Sequence, residues 1–220
     1  SVQRNFGAKK AKGKYLLFLD SDMELTANVI LNCVQKSEAD GFKALIIPET
    51  TVGASLMAKI RKFEREMYFG DADIELARFF ERDLFFELGG YDEKLTGPED
   101  YDLSYRVSKK YQLGRINDFI LHHEEGLTLG GLLNKKFYYA KKGAHYAEKY
   151  PELVLKQGTI LFRRAYLKNW RKFLEQPLYG IMFLLTRTLE TIWALSGYIS
   201  AVGFLGFIKM FIKVLKIKYG

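Results

Sequence analysis

Lys14-Tyr15-Leu16-Leu17-Phe18-Leu19-Asp20-Ser21-Asp22 is the stretch whose reading decides the fold: an apolar run over 15–19 stops at two acids spaced i and i+2. A run of this length, bounded by Gly13 and by the acids, predicts a parallel strand buried on both faces. In open α/β sheets ligands gather beyond the carboxyl ends of strands. Two carboxylates placed there repel each other and lose hydration. A hard cation that shares their oxygens with a substrate's phosphates stabilises them, so Asp20 and Asp22 ask for Mg2+ or Mn2+. A calcium loop starting at Asp20 fails, because its sixth position is Leu25 instead of Gly and its twelfth is Leu31 instead of Glu. Two other readings stay open. A phosphatase with an aspartyl nucleophile also places Asp-x-Asp after an apolar strand, with Gly70-Asp71-Ala72-Asp73 forced into its later acidic motif, and the acids could simply cap the helix that follows.

A second acidic group lies further on, in Gly89-Gly90-Tyr91-Asp92-Glu93 and then Gly97-Pro98-Glu99-Asp100-Tyr101-Asp102. Gly and Pro break the chain, and Glu99 and Asp100 open a segment of helical periodicity. Acids at a helix N-terminus are favoured by the dipole, and Asp102 and Arg106 stand i,i+4 for an ion pair. Capping alone would account for these acids in isolation; their combination with the upstream pair points to a site.

Taken in order, these motifs resemble the inverting family 2 glycosyltransferases of the GT-A fold. Arg4-Asn5-x-Gly7, Ala11-Lys12-Gly13 and Phe18-Leu19-Asp20-Ser21-Asp22 look like that family's approach to its metal-binding Asp-x-Asp. Phe85-x-x-x-Gly89-Gly90-Tyr91-Asp92-Glu93 and Pro98-Glu99-Asp100-x-Asp102-Leu103-x-x-Arg106 look like its acceptor-side loop and Glu-Asp motif. The resemblance covers residues 1 to about 125 and implies an α/β, Rossmann-like mixed sheet with flanking helices. It also implies roles. Asp20 and Asp22 would hold the divalent ion on the diphosphate of a nucleotide sugar, Arg4 and Asn5 would sit near the nucleotide, and Gly89, Gly90 and Asp92 would face the acceptor. Asp100, beside Glu99, would be the base that takes the proton from an acceptor hydroxyl. One carboxylate suffices for direct displacement with inversion. In His122-His123-Glu124-Glu125-Gly126, strand alternation lets only one histidine look into the site. The family's looser His-x-Glu-Gly pattern favours His123 as a third metal ligand or phosphate contact, with His122 in the alternative register.

Roughly two βα units, each about 30 residues or more, are expected ahead of residue 1, so the chain reads as a fragment whose own activity is open. A 220-residue chain with 48% hydrophobic residues can bury a full core. The lone Cys33 removes any disulfide framework and reads as a buried, inert thiol on a helix over 27–36. Further on, strands are expected at 43–48, 76–80 and 115–121, and helices at 54–69, 82–88, 99–111 and 132–150. Met57, Ile60, Phe63 and Met67 form one stripe that reads as core packing. Three parts are expected: a catalytic domain at 1–128, a basic helical region at 129–176, and membrane-associated helices at 177–220.

The formal charge of +8 is unevenly placed. Lys135, Lys136, Lys141, Lys142, Lys149, Lys156, Arg163, Arg164, Lys168, Arg171 and Lys172 form a basic region just before an apolar tail. No nucleic-acid recognition motif accompanies it, so nucleic acid is set aside, and an anionic membrane surface or a lipid-linked phosphate is the partner that fits. Residues 191–208 carry no charge, the threshold length for a spanning helix, while Arg187 and Glu190 interrupt the piece before them. Basic groups flank both ends, which suits a hairpin or an interfacial helix better than one span. Lys209, Lys213 and Lys216 share a helical face, which supports the interfacial form. The sequence thus predicts a sugar transferase associated with the cytoplasmic face of a membrane, using a nucleotide-sugar donor and a glycan or lipid-linked acceptor. A catalytically silent membrane-binding module is the alternative from another class.

Overall fold

A computed structural model describes residues 1–71, 73–153 and 163–219; Ala72, in the phosphatase-like motif, and Lys156, in the basic region, lie outside the described residues. The chain runs α1 (Val2–Lys10), β1 (Tyr15–Leu17), β2 (Met23–Leu25), α2 (Val29–Asp40), β3 (Ala44–Ile46), β4 (Glu49–Val52), α3 (Leu56–Tyr68), β5 (Ala77–Glu81), α4 (Arg82–Glu87), α5 (Glu99–Ser108), β6 (Gly114–Arg115) and β7 (Ile120–His123). There follow α6 (Leu129–Lys142), α7 (Ala144–Lys149), α8 (Arg164–Lys168), α9 (Arg171–Glu175) and α10 (Pro177–Tyr219).

Two mixed sheets result. The first has the order β1-β5-β3-β6 and the second β2-β7-β4. β5 runs antiparallel to both β1 and β3, while β3 and β6 are parallel. β7 pairs antiparallel with β2 and parallel with β4. This corrects the expectation of a parallel strand at 15–19: β1 pairs antiparallel with β5, and only its central Leu16 is buried. The apolar run encodes burial but not direction. The strand expected over 115–121 is two strands in different sheets, because the Asn117-Asp118 pair interrupts it where turn residues are favoured, and Asp118 accepts a 2.7 Å hydrogen bond from the Asn32 amide. The helix expected over 132–150 breaks at Gly143, whose N–H caps Tyr139 O at 2.7 Å. β2 and β4 have no counterpart among the expected strands.

The first sheet is held by apolar layers. Ala44, Phe80, Leu84, Phe85, Tyr91, Leu103 and Val107 pack on one side, and Val29, Cys33, Leu45, Ile47 and Phe79 on the other. Cys33 is fully buried, and burial pushes its thiol pKa up to about 12, followed by the charge of Asp118, which makes it inert as expected. The stripe on α3 is core: Ile60, Phe63 and Met67 pack with Tyr166 and Phe183 from the later helices. The tail therefore docks on the α/β part through its first turns.

α10 is long and apolar enough to cross a membrane, with mean hydropathy 1.6 over its most apolar stretch, little of which is buried. It is not one regular rod. The helix is broken at Gly203, whose φ of 72° and ψ of 166° lie outside helical space.

Candidate active site

β1 ends just before the Asp-x-Asp, and Met23 N–H bonds back to Asp20 O at 3.1 Å, turning the chain into β2. This tight turn leaves both carboxylates at the mouth of the sheets. Across from them, Gly97 (φ 103°) and Pro98 deliver the N-terminus of α5, with Glu99 and Asp100 in its first turn. α1 supplies the group between the two. Arg4 pairs through Nη2 with Asp20 and through Nη1 with Asp100 at 2.9 Å, and lies 3.7 Å from Glu99. One guanidinium thus joins acidic motifs that are remote in sequence.

Asp100 is largely buried, and burial raises its pKa; Arg78 and Arg4 oppose the rise, while Glu99 and Asp20 add to it. The net shift is upward. Asp22 behaves differently. Partial burial works to raise its pKa, but the hydrogen bond and charge of His122 prevail and the net shift is downward.

The structure separates the two histidines. His122 Nε2 lies 3.0 Å from Asp22 Oδ2, whereas His123 Nε2 lies 3.0 Å from Glu24 Oε2, on the more exposed side of β7. The histidine favoured from the sequence therefore points away from the Asp-x-Asp, and the alternative register faces it. Arg65 Nη2 approaches His122 Nδ1 at 2.5 Å.

Sequence reading missed the group behind this contact. Glu49, at the start of β4, accepts from Arg78 Nε at 2.6 Å, pairs with Arg65, and lies 3.6 Å from His122 Nδ1. Burial alone would raise the Glu49 pKa, but the His122 hydrogen bond and the charges of Arg78 and Arg65 hold it far below the usual carboxylate range. Arg78 also reaches Asp20, at 3.7 Å. A signal existed: Glu49 and Arg78 both lie in or beside apolar strand sequence, where a charge without a partner is costly.

The other predicted residues frame the site. Asn5 is buried with its amide fully engaged: Nδ2 donates to Tyr91 O at 2.8 Å and to Glu93 at 3.0 Å, and Oδ1 accepts from Tyr91 N at 2.9 Å. It clamps the Gly89-Gly90 loop. Both glycines have positive φ, and a Cβ on Gly90 would meet Asn5 Oδ1 at 2.7 Å. Asp92 bonds Lys149 at 2.9 Å, and Lys149 also bonds the buried Asp102 at 2.8 Å. Asp102 in turn pairs with Arg106, as the i,i+4 spacing indicated.

Among the described residues, no three His, Cys, Asp or Glu side chains converge as a ready metal cage. The donor chemistry nevertheless fits a hard divalent ion. The Asp22 carboxylate is 51% exposed, Asp20 is 38% exposed, and an imidazole stands beside them.

Residues 1–83 match the family model for glycosyl transferase family 2. Over that stretch the chain is similar to family 2 glycosyltransferases. That segment holds α1, the Asp-x-Asp turn, Glu49 and Arg78. The mannosyltransferase PcManGT from Pyrobaculum calidifontis, solved in complex with GDP-Man and Mn2+, superposes with a TM-score of 0.53 at 14% identity, over 89% of this chain and 65% of its own. TarS from S. aureus gives 0.45 at 13% identity, over 90% of this chain and 41% of its own. Its 1-349 form with UDP-GlcNAc gives 0.45 at 16%, covering 90% and 60%. No curated protein matches the chain. The likeness to the mannosyltransferase shows the fold: the two mixed sheets with their flanking helices are GT-A. This chain spans less than two thirds of the length of all three structures.

Proposed function

We propose that the protein is a glycosyltransferase that moves a sugar from a nucleotide-diphosphate donor to an acceptor hydroxyl with inversion. The observation that carries this reading is the Arg4 bridge, which holds Asp20 and Asp100 on one guanidinium. Donor-side and base-side carboxylates thereby share one site. Asp100 takes the acceptor proton as the oxygen attacks the anomeric carbon, its raised pKa favouring uptake. Arg4 and Arg78 hold Asp20 and Asp100 in place before substrate arrives. Asp20, Asp22 and His122 are the residues that would hold Mg2+ or Mn2+, with His123 the less favoured ligand. When bound, the ion stabilises charge on the departing diphosphate. The GDP-Man named for the mannosyltransferase supports a nucleotide sugar as the donor class, and its Mn2+ supports a divalent ion.

Asn5, Gly89, Gly90 and Asp92 shape the acceptor side. The apolar, mostly unburied α10 supports association with a membrane, and the cytoplasmic face is proposed because nucleotide sugars and the Lys/Arg flanks both suit it. Residues 1–128 are assigned the catalytic role, 129–176 a basic helical connection, and 177–220 the membrane contact. In the whole protein, Asp100→Asn should lower transfer by about 10²-fold or more while donor binding survives. Asp22→Ala should abolish Mn2+-dependent donor binding in calorimetry. Near-normal turnover of Asp100→Asn would return the acids of α5 to helix capping.

A further inference from the structure

Beside the donor-side carboxylates, a cavity of about 550 Å³ opens between α3, the start of α5, α6 and the first half of α10. Asp20, Asp22 and Asp100 do not line it, but Gly97 and Pro98, which present Asp100, do. Its walls carry Arg61, Arg65, Arg78, Lys136, Arg163 and Arg187. Against these six cations stand three lining carboxylates, Glu49, Glu64 and Glu75. Each is already committed: Glu49 to Arg65 and Arg78, Glu64 to Arg61 and Arg187, and Glu75 to Arg115 through both oxygens. Behind the wall, Glu124 and Glu190 add two carboxylates and Arg115 one more cation, and Asp20 lies 3.7 Å from Arg78.

Two further observations concern this wall. Arg61 Nε, 3.9 Å from Glu124, and Arg187 Nε are buried donors without a hydrogen-bond partner, and Glu190 Oε1 beside them is a buried acceptor without one; such donors are costly unless something accepts from them. Lys136 Nζ comes no closer than 3.8 Å to Glu190. Burial lowers its pKa to about 8; Glu190 opposes the fall and Arg187 and Arg61 deepen it. Its ammonium, on a side chain 34% exposed, thus sits among guanidiniums with one carboxylate at the edge of ion-pair range.

We infer that this cavity binds the phosphate of an anionic acceptor, seating it against Arg61, Lys136 and Arg187 with its hydroxyl end toward Asp100. The inference rests on the transferase reading and deepens it by naming the acceptor class. Phosphate chemistry fits because several convergent N–H donors meet its oxygens. The cavity wall includes Ala194 of α10, the helix assigned to the membrane, so a lipid-borne phosphate has a path to it; a soluble phosphorylated acceptor has the same chemistry.

The test uses inorganic pyrophosphate titrated into the whole protein in EDTA, so that no metal draws it to the Asp-x-Asp. Saturable binding is expected, weakened about ten-fold or more by Lys136→Met, restored by Lys136→Arg, and unchanged by Asp22→Asn. Thermal melting monitors folding of each variant, and Arg61→Gln gives a second, independent loss. Phosphatidylcholine vesicles with phosphatidic acid or with phosphatidylglycerol separate the sources: preference for the monoester lipid, abolished by Lys136→Met, indicates a lipid acceptor, and pyrophosphate binding without it indicates a soluble one. Absence of saturable pyrophosphate binding, or its loss in Asp22→Asn but not in Lys136→Met, would overturn the proposal. Mn2+-dependent donor binding is measured in parallel. If it persists while pyrophosphate binding is absent, the acceptor site alone has failed; if it is absent too, the transferase reading has failed.

Discussion

The two sheets divide the work of the protein between them. In the first, β3 is buried at every position and Phe79 and Phe80 are almost wholly enclosed. In the second, buried positions are a minority, and the strands carry Glu24, Glu49, Thr51, His122 and His123. The first holds its place by apolar area. The second holds its place by charge: Glu49 ties β4 to Arg65 of α3 and Arg78 of β5, and Thr51 receives Arg65 Nε at 2.8 Å. A polar sheet whose cohesion comes from paired ions keeps those ions at fixed positions, which is what a binding site needs.

The largest effect expected from breaking this contrast is in the apolar sheet. Phe80→Ala should cost about 3–5 kcal/mol of stability, measured by urea unfolding, while the folded fraction still binds donor with Mn2+. A change in donor affinity of the folded fraction would erase the distinction between scaffold and site.

Glu49→Gln comes next. It leaves Arg65, Arg78 and His122 without their shared carboxylate, in a partly buried setting, at a cost of about 2–3 kcal/mol. Unlike Phe80→Ala, it should weaken donor binding as well as stability. Unchanged affinity would make the second sheet a scaffold like the first.

A narrower probe compares the adjacent histidines. His122→Asn should reduce Mn2+-dependent donor affinity about 10-fold to 100-fold, and His123→Asn should leave it near normal. The reverse result would restore His123 as the ligand.

The smallest effect is a displacement of the acid limb of kcat/KM. Because Asp100 is raised above its ordinary value, activity should be lost, as pH falls, at a higher pH than a free carboxylate would give. Arg4 opposes that rise, so Arg4→Gln should move the limb further up. A limb that stays put or moves down would remove Asp100 as the titrating base.

The same contrast explains what the sequence makes legible. Asp20 and Asp22 at the end of an apolar run, the stripe of Ile60, Phe63 and Met67, and the acids opening α5 all follow from hydrophobic pattern and capping chemistry. β2 and β4 do not, since Met23–Leu25 and Glu49–Val52 are short and polar and gain their structure only by pairing with β7. Strand alternation limits the inward histidine to one of two, but the choice depends on register, which places His122 opposite Met23 and Thr51. Direction was equally hidden: Leu16 and Leu17 would be as apolar in a parallel pairing as in the antiparallel one they make with Phe80 and Phe79. Glu49 follows Pro48 with no charged residue beside it in sequence, and its three partners come from three other elements.

The break at Gly203 has a mechanical consequence. An unbroken α10 would be a stiff lever with Arg187 and Glu190, near one end, locked to α3 and Lys209 and Lys213 at the other. Any tilt imposed on the lysine-bearing arm would then become torque on the Arg61–Glu64 pair. With a residue at φ 72° and ψ 166° between the arms, a conformation glycine adopts without strain, rotation is absorbed at a single joint. The outer arm can reorient while the inner arm stays seated on α3, so the geometry around Asp100 is insulated from forces applied at the far end of the helix.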